Sequence, residues 1–293
     1  MSHIYTPRPS AARIPTAVGL GLRAGHQQQV LDERPPVAWF EIHPENLMRD
    51  YGARQHTMDL RRDYPFSFHA VGLSLASADG VDAAHLAALA DLVDQFEPGL
   101  VSDHLSWSTS GGVFLPELMG FPYTPEALDI CVRNIDVVQT ALKRTLLIEN
   151  PSHYLGFDHA TMGEPAFLAA LVQRTGCRVV LDLNNIEVSG HNLGVNPEDM
   201  LASYIRDLPR DAVAEMHLAG HTIITLDDGS DLRMDTHSAP VSDPVMGLYQ
   251  RALDHFGACP TLVEWDQDLP PFETLQAEAA RAQVVMDGVR VDA

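Results

Sequence analysis

Seven short apolar runs in this chain, 37–43, 66–69, 100–104, 146–149, 179–182, 213–217 and 262–264, each stop on a residue that binds metals or moves protons. Those residues are His43, His69, His104, Glu149, Asp182, His217 and Glu264. An eighth run, 18–22, carries Gly19 and Gly21. If the runs are strands of a parallel barrel, their C-terminal ends share one mouth and the side chains there converge. Further donors follow closely: Asn185 after Asp182, His221 after His217, Asp235 and His237 beyond them, and Asp266 after Glu264. A lone histidine at a strand end is more often a hydrogen-bonded structural residue than a ligand. A set of them together with buried carboxylates is different, because such carboxylates repel unless cations lie between them. The pattern therefore predicts a polynuclear metal centre. Imidazole, carboxylate and amide oxygen suit Fe, Mn or Zn and disfavour Cu(I) or iron–sulfur clusters. About ten donors exceed the needs of one ion, so two or three ions are implied, with Glu149 a natural bridge through its two oxygens.

The elements that must position these residues alternate. Helical spacing appears over 83–96, where Leu86, Leu89, Ala90 and Val93 share a face, and over 125–142, with Thr124 as cap and Pro125 at the first position. Helices are also predicted over 165–175, stopped by Gly176, over 197–207, capped by Asn196, over 244–256 behind Asp243, and over 272–285. The first two units are less regular: 26–31 is short and 45–60 only loosely periodic. Strand then helix, eight times, predicts an α/β protein, a single (β/α)8 TIM barrel over 18–293 behind an N-terminal tail, 1–17. An open doubly wound sheet would carry a glycine-rich phosphate turn after its first strand, and Gly19-Leu20-Gly21 does not continue as one. Segment 106–123 reads as a long loop and a lid candidate. After the seventh strand, Asp227-Asp228-Gly229-Ser230 marks a β-hairpin insertion that would turn Asp235 and His237 the same way.

Composition narrows the classes. Asp and Glu total 40 against 19 Lys and Arg, a net charge of −21, and the cations do not cluster. That excludes a phosphate-backbone binder, so no nucleic acid partner is expected. The acidity fits a solvated surface, and secondarily a basic peptide partner. The three cysteines, Cys131, Cys177 and Cys259, are widely spaced in apolar stretches and read as buried thiols. No membrane span and no signal peptide are evident, which predicts a cytoplasmic protein. His3, His26, His56, His85, His159 and His255 read as solvated; His43, His153 and His191 read as neighbours of the centre.

The motifs Gly19-Leu20-Gly21-Leu22-Arg23, Phe40-Glu41-Ile42-His43-Pro44-Glu45-Asn46, Ser102-Asp103-His104-Leu105-Ser106, Ile148-Glu149-Asn150-Pro151, Asp182-Leu183-Asn184-Asn185, His217-Leu218-Ala219-Gly220-His221, Asp235-Thr236-His237 and Glu264-Trp265-Asp266 occur in this order over nearly the whole chain. Together they resemble the multinuclear non-heme iron-dependent oxidative enzymes. The resemblance implies a xylose isomerase-like barrel binding two or three irons in a mixed Fe(II)/Fe(III) state. It implies one iron on His69, His104 and Glu149; a second on Glu149, Asp182, His217 and Glu264; and a third on Asn185, His221, Asp235 and His237. Asp266 would then be a proton acceptor or an outer carboxylate. Such enzymes use dioxygen to oxidise residues, often cysteine, in ribosomally synthesised precursor peptides. Many work beside a separate partner protein that captures the peptide's leader. Two other readings use the same donors: a divalent-metal isomerase or hydrolase, and a non-catalytic, metal-loaded protein-binding scaffold.

Overall fold

The computed structural model describes residues 13–49 and 51–289. Twelve strands follow in chain order: β1 (Val18–Gly21), β2 (Phe40–Ile42), β3 (Phe66–His69), β4 (Leu100–His104), β5 (Trp107–Ser110), β6 (Val113–Met119), β7 (Leu147–Glu149), β8 (Arg178–Asp182), β9 (Val213–Leu218), β10 (Thr222–Thr225), β11 (Asp231–Met234) and β12 (Thr261–Val263). Eight of them form a closed barrel in the order β1-β12-β9-β8-β7-β4-β3-β2. The other four make two antiparallel hairpins, β5–β6 and β10–β11. All eight apolar runs are thus barrel strands, and the hairpin expected after the seventh is present.

The chain divides into two compact units. One comprises Ile42–Pro151 and Phe157–Val179. Within it, β3 shows how the face of a strand is chosen. Phe66 and Phe68 share one side, and Phe68 lies 5.6 Å from Phe96 of the helix Ala83–Phe96, ring centre to ring centre. Alternation then turns Ser67 and His69 to the opposite, inner side. Each such buried aromatic contributes about 1.5–3 kcal/mol. The covering helices begin where their caps say: Asp82 accepts from His85 N at 2.7 Å, and Thr124 accepts from Ala127 N at 3.3 Å ahead of Pro125.

The second unit comprises Pro15–Glu41, Ser152–Gly156 and the chain from Val180 onward. Its packing turns on Trp39, which is fully buried and donates Nε1–H to Ala17 O at 2.9 Å. A Cβ on Gly19 would lie 2.3 Å from that indole, so only glycine admits it. A Cβ on Gly220 would lie 2.1 Å from Ala239 O, so glycine also lets the segment after β9 cross the segment after the second hairpin.

Four expectations change. Segment 106–123 holds a hairpin rather than an irregular loop, and β6 exposes every residue from Val113 to Met119. The helix expected over 45–60 is two, Glu45–Met48 and Tyr51–Arg61. The cap of Asp243–Phe256 is Ser242, not Asp243, because the Ser242 hydroxyl accepts from Val245 N. A further helix, Leu183–Asn192, starts directly on Asp182, whose carboxylate caps it. Among the described residues no helix is long and apolar enough to cross a membrane. Residues 1–12 of the expected tail, His3 included, lie outside the described residues.

Candidate metal centre

In the first unit, His69, His104 and Glu149 end three neighbouring strands. The ladder pairs His69 with Ser102 and His104 with Glu149. His69 Nδ1 lies 2.8 Å from Ser102 Oγ, which turns Nε2 to the other side. That Nε2 is 3.2 Å from His104 Nε2 and 3.2 Å from Glu149 Oε2, and His104 Nε2 is 3.6 Å from the same oxygen. Two ligands about 2.1 Å from a tetrahedral ion are about 3.4 Å apart. These buried donors therefore already stand at the edge lengths of a coordination shell, and they fit a divalent cation. His43 supports the group, its Nδ1 lying 3.0 Å from His69 O.

In the second unit, Glu264 is the hub. Its Oε2 lies 3.5 Å from His217 Nδ1 and 3.5 Å from His237 Nδ1. Donor atoms of Asp182, His237 and Glu264 lie within 4.8 Å of one another, as do those of Glu41, His217 and Glu264. The far nitrogen of His217, Nε2, faces Glu215 at 3.8 Å and Glu41 at 3.9 Å. Burial opposes charge on Glu264, but His217 and His237 outweigh it and hold the carboxyl below its usual range. Burial raises the pKa of Glu215. For His237 burial again works against charge, and Asp235 and Glu264 overcome it, raising its pKa well above the usual value. Four buried carboxylates, those of Glu41, Asp182, Glu215 and Glu264, thus share two imidazoles. That excess of buried negative charge suits a cation. Asp182 has two tasks, since its Oδ1 also accepts from Asn185 N at 2.6 Å.

The last expected set is only partly gathered. Asp235 Oδ1 and His237 Nε2 are 2.8 Å apart. They lie beyond the end of β11 rather than on it, and His237 takes a left-handed backbone, φ 46°. His221 faces other partners: its Nδ1 is 2.8 Å from Asn184 Oδ1, and its Nε2 is 2.8 Å from Arg233 Nη1. Burial and Arg233 lower its pKa to about 4. Asn184 joins the set, because its Nδ2 also donates to Asp235 at 2.8 Å. Asn185 sits in the first turn of Leu183–Asn192, buried, with its N–H on Asp182. Asp266 accepts from Arg23 and stands 3.0 Å from His237 Nδ1.

Sequence reasoning missed Glu41, Asn184, Glu215, Arg23 and Arg233. Glu215 had a signal, since it lies two residues before His217 and shares its face. Glu41 lies two before His43 at the end of β2, although His43 itself falls past that end. Two histidines expected in solvent are engaged. His26 is buried with Nε2 2.9 Å from Pro270 O, and His85 pairs with Glu45 at 3.2 Å. Cys131 and Cys177 are buried, and burial pushes their thiols up to about 12; Cys259 is half-buried.

Comparison with known proteins gives the chain its family and its fold. The chain is 45% identical over 273 residues to a UPF0276 protein of Vibrio parahaemolyticus, covering 93% of each. It is 45% identical over 271 residues to a UPF0276 protein of Caulobacter vibrioides, covering 92% of this chain and 95% of the relative. Its fold is similar to a xylose isomerase-like TIM barrel protein from Mycobacterium smegmatis in complex with magnesium, with TM-score 0.55 and 14% identity over 92% of this chain and 95% of that one. It is similar also to endonuclease IV from Thermus thermophilus, with TM-score 0.55 and 16% identity over 92% and 97%. These distant likenesses establish the xylose isomerase-like barrel alone. Residues 17–287 match the family model described as RiPP precursor modification enzyme MbnB/TglH/ChrH, and the chain belongs to that family.

Proposed function

We propose that this protein is a multinuclear iron, dioxygen-dependent oxidase that modifies a residue, foremost cysteine, in a ribosomally synthesised precursor peptide. The observation that carries the reading is the convergence of His69 Nε2, His104 Nε2 and Glu149 Oε2 at 3.2–3.6 Å, at coordination-shell spacing and out of solvent. His69, His104 and Glu149 would hold one ion. Asp182, His217 and Glu264 would hold another, and His237, Asp235, His221 and Asn185 are the candidates for a third. Iron in such a nitrogen and oxygen shell supplies one-electron redox steps and a Lewis acid that lowers the pKa of a bound thiol. Electrons removed from the peptide pass to dioxygen. The protein's own part is to orient the donors, through Ser102 and Asp266, and to keep them buried. The family supports a precursor peptide as substrate. A separate leader-binding protein is the partner this reading calls for, and the net charge of −21 suits a basic peptide.

The test is metal content after purification without oxygen, by elemental analysis with Mössbauer spectroscopy on iron-57 protein. The reading requires two or three irons per chain in a mixed Fe(II)/Fe(III) state, and oxygen consumption on adding a cysteine-containing precursor. Stoichiometric zinc or manganese with no iron, even after anaerobic reconstitution, would replace it with a divalent-metal isomerase or hydrolase. Metals inert to oxygen and small thiols would point to the scaffold.

A further inference from the structure

Arg23 follows β1 and is 9% exposed, a buried guanidinium. Its Nε–H donates to Asp266 Oδ1 at 2.5 Å, and its Nη2 pairs with the same oxygen. The other oxygen, Asp266 Oδ2, stands 3.0 Å from His237 Nδ1. The backbone repeats the tie in reverse: His237 O accepts from Asp266 N at 2.7 Å and from Gln267 N at 3.3 Å. His237 therefore meets Asp266 through both its ring and its carbonyl, in a left-handed conformation that a non-glycine residue seldom takes. Its remaining nitrogen, Nε2, is 2.8 Å from Asp235 Oδ1.

We infer that Arg23 and Asp266 form a positioning relay that holds the His237 ring by Nδ1 and aims Nε2, beside Asp235, at a cation. The chemistry is that of a carboxylate behind a metal-binding imidazole: an acceptor held on Nδ1 orients the ring, and a cation beside Asp235 would take the place of the proton on Nε2. Arg23 adds a second tier. A carboxylate left to itself could swing away from the ring or turn its second oxygen to it. A guanidinium anchored on Oδ1 leaves Oδ2 as the oxygen that meets Nδ1. Asp266 is then a positioning residue rather than the proton acceptor of the reaction, since each of its oxygens has a task. Arg23, in Gly19-Leu20-Gly21-Leu22-Arg23, is the residue that holds it there. A Cβ on Gly21 would lie 3.1 Å from the guanidinium, so glycine at that position gives Arg23 its room.

This inference rests on the proposed metal centre, and its test avoids iron and peptide so that the two fail separately. Wild-type protein, Arg23→Gln, Arg23→Lys, Asp266→Asn and Asp266→Glu are stripped with chelator and checked for folding by circular dichroism. Long-range 15N NMR on histidine-labelled protein reloaded with diamagnetic Zn(II) then reads which His237 nitrogen carries the proton, its signal identified by its loss in His237→Gln. Equilibrium dialysis against Co(II) counts ions and their affinities. The relay requires Nδ1–H at His237 in wild type and a mixed or reversed tautomer in Arg23→Gln and Asp266→Asn. It also requires about 10–100-fold weaker binding of one Co(II) equivalent in both variants, with the equivalent on His69, His104 and Glu149 unchanged. Arg23→Lys should recover part of the loss, since a point charge holds Oδ1 without the planar fork. An unchanged tautomer and unchanged Co(II) affinities in folded Asp266→Asn would overturn the relay. So would a precursor-oxidation defect in that variant with tautomer and metal content intact, because that is the behaviour of a proton acceptor. If Arg23→Gln fails to fold, Asp266→Asn and Asp266→Glu decide the question.

Discussion

The donors of the first unit and those of the second solve the same problem at different cost. His69, His104 and Glu149 are the last residues of β3, β4 and β7, so the ladder alone sets their spacing, and one serine hydroxyl finishes the job. Two imidazoles there face one carboxylate. Around Glu264 the count reverses, with Asp182, Glu41 and Glu215 crowding His217 and His237. His237 comes from beyond a hairpin and is held by Asp266 and Arg23. A ligand on a strand end needs little support, whereas a ligand on a connection needs its own scaffold. The first group should bind an ion as a rigid preformed shell. The second should bind one that also relieves buried negative charge.

The largest effect should come from breaking the shell of the first group. His69→Ala should remove one ion per chain and reduce precursor oxidation by more than the roughly 100-fold that loss of an outer partner costs. Elemental analysis checks it, and the ion at Glu264 should remain. If both ions vanish together, the two groups are not separate shells. Ser102→Ala comes next: it leaves all three ligands and removes only the orienting hydroxyl, so affinity at the first group should fall about tenfold. A metal titration followed by competition with a chelator reads this.

Asp182 tests the double duty in the second unit. Asparagine caps helices as well as aspartate does, so Asp182→Asn should lose the ion yet keep the stability of the metal-free protein. Asp182→Ala should lose the ion and about 1 kcal/mol as well, read from urea melts of the metal-free variants. Equal melts for the two would remove the capping role from Asp182.

The smallest effect concerns the loop that leaves the first group. Glu45 Oε1 accepts from Val71 N at 3.0 Å and pairs with His85. Hydrogen bonding to Glu45 raises the His85 pKa above 6.5; burial opposes this. Burial would raise Glu45, but His85 and Val71 draw it below 4.5. A raised histidine contributes stability that is complete below its unfolded pKa and lost as pH rises through its folded one. The lowered carboxyl contributes above 4.5 and fades as pH falls. The metal-free protein should therefore gain most from this pair between pH 4.5 and 6.5 and lose about 0.5–1 kcal/mol above that window. His85→Gln should flatten the alkaline side of the melting-temperature profile.

Much of the fold was legible because a barrel strand buried on both faces is a short apolar run with an abrupt polar end. β3 and β4 match their runs residue for residue, and Glu264 follows β12 directly. The helices with Thr124 and Asn196 as caps and a proline in the first turn were legible for the same local reason. Leu183–Asn192 was not, because Asp182 ends a strand and caps a helix at once, and its first turn, Leu183-Asn184-Asn185, reads as the tail of the strand. The strand Val113–Met119 was hidden because its apolar residues lie in solvent, without the alternation that a half-buried strand displays.

Which residue types gather at strand ends, and hence the expectation of a cation site built from nitrogen and oxygen donors, follows from local order alone. Periodicity carries that information along the chain. The partners of each donor do not follow from it. That Asn184 joins His221 to Asp235, that Arg233 faces His221, and that Arg23 holds Asp266 behind His237 depend on side chains 12 to 243 residues apart. Only closure of the barrel and the crossing at Gly220 bring such residues within hydrogen-bond reach, because a directional bond of about 3 Å is a property of packed geometry and not of sequence spacing.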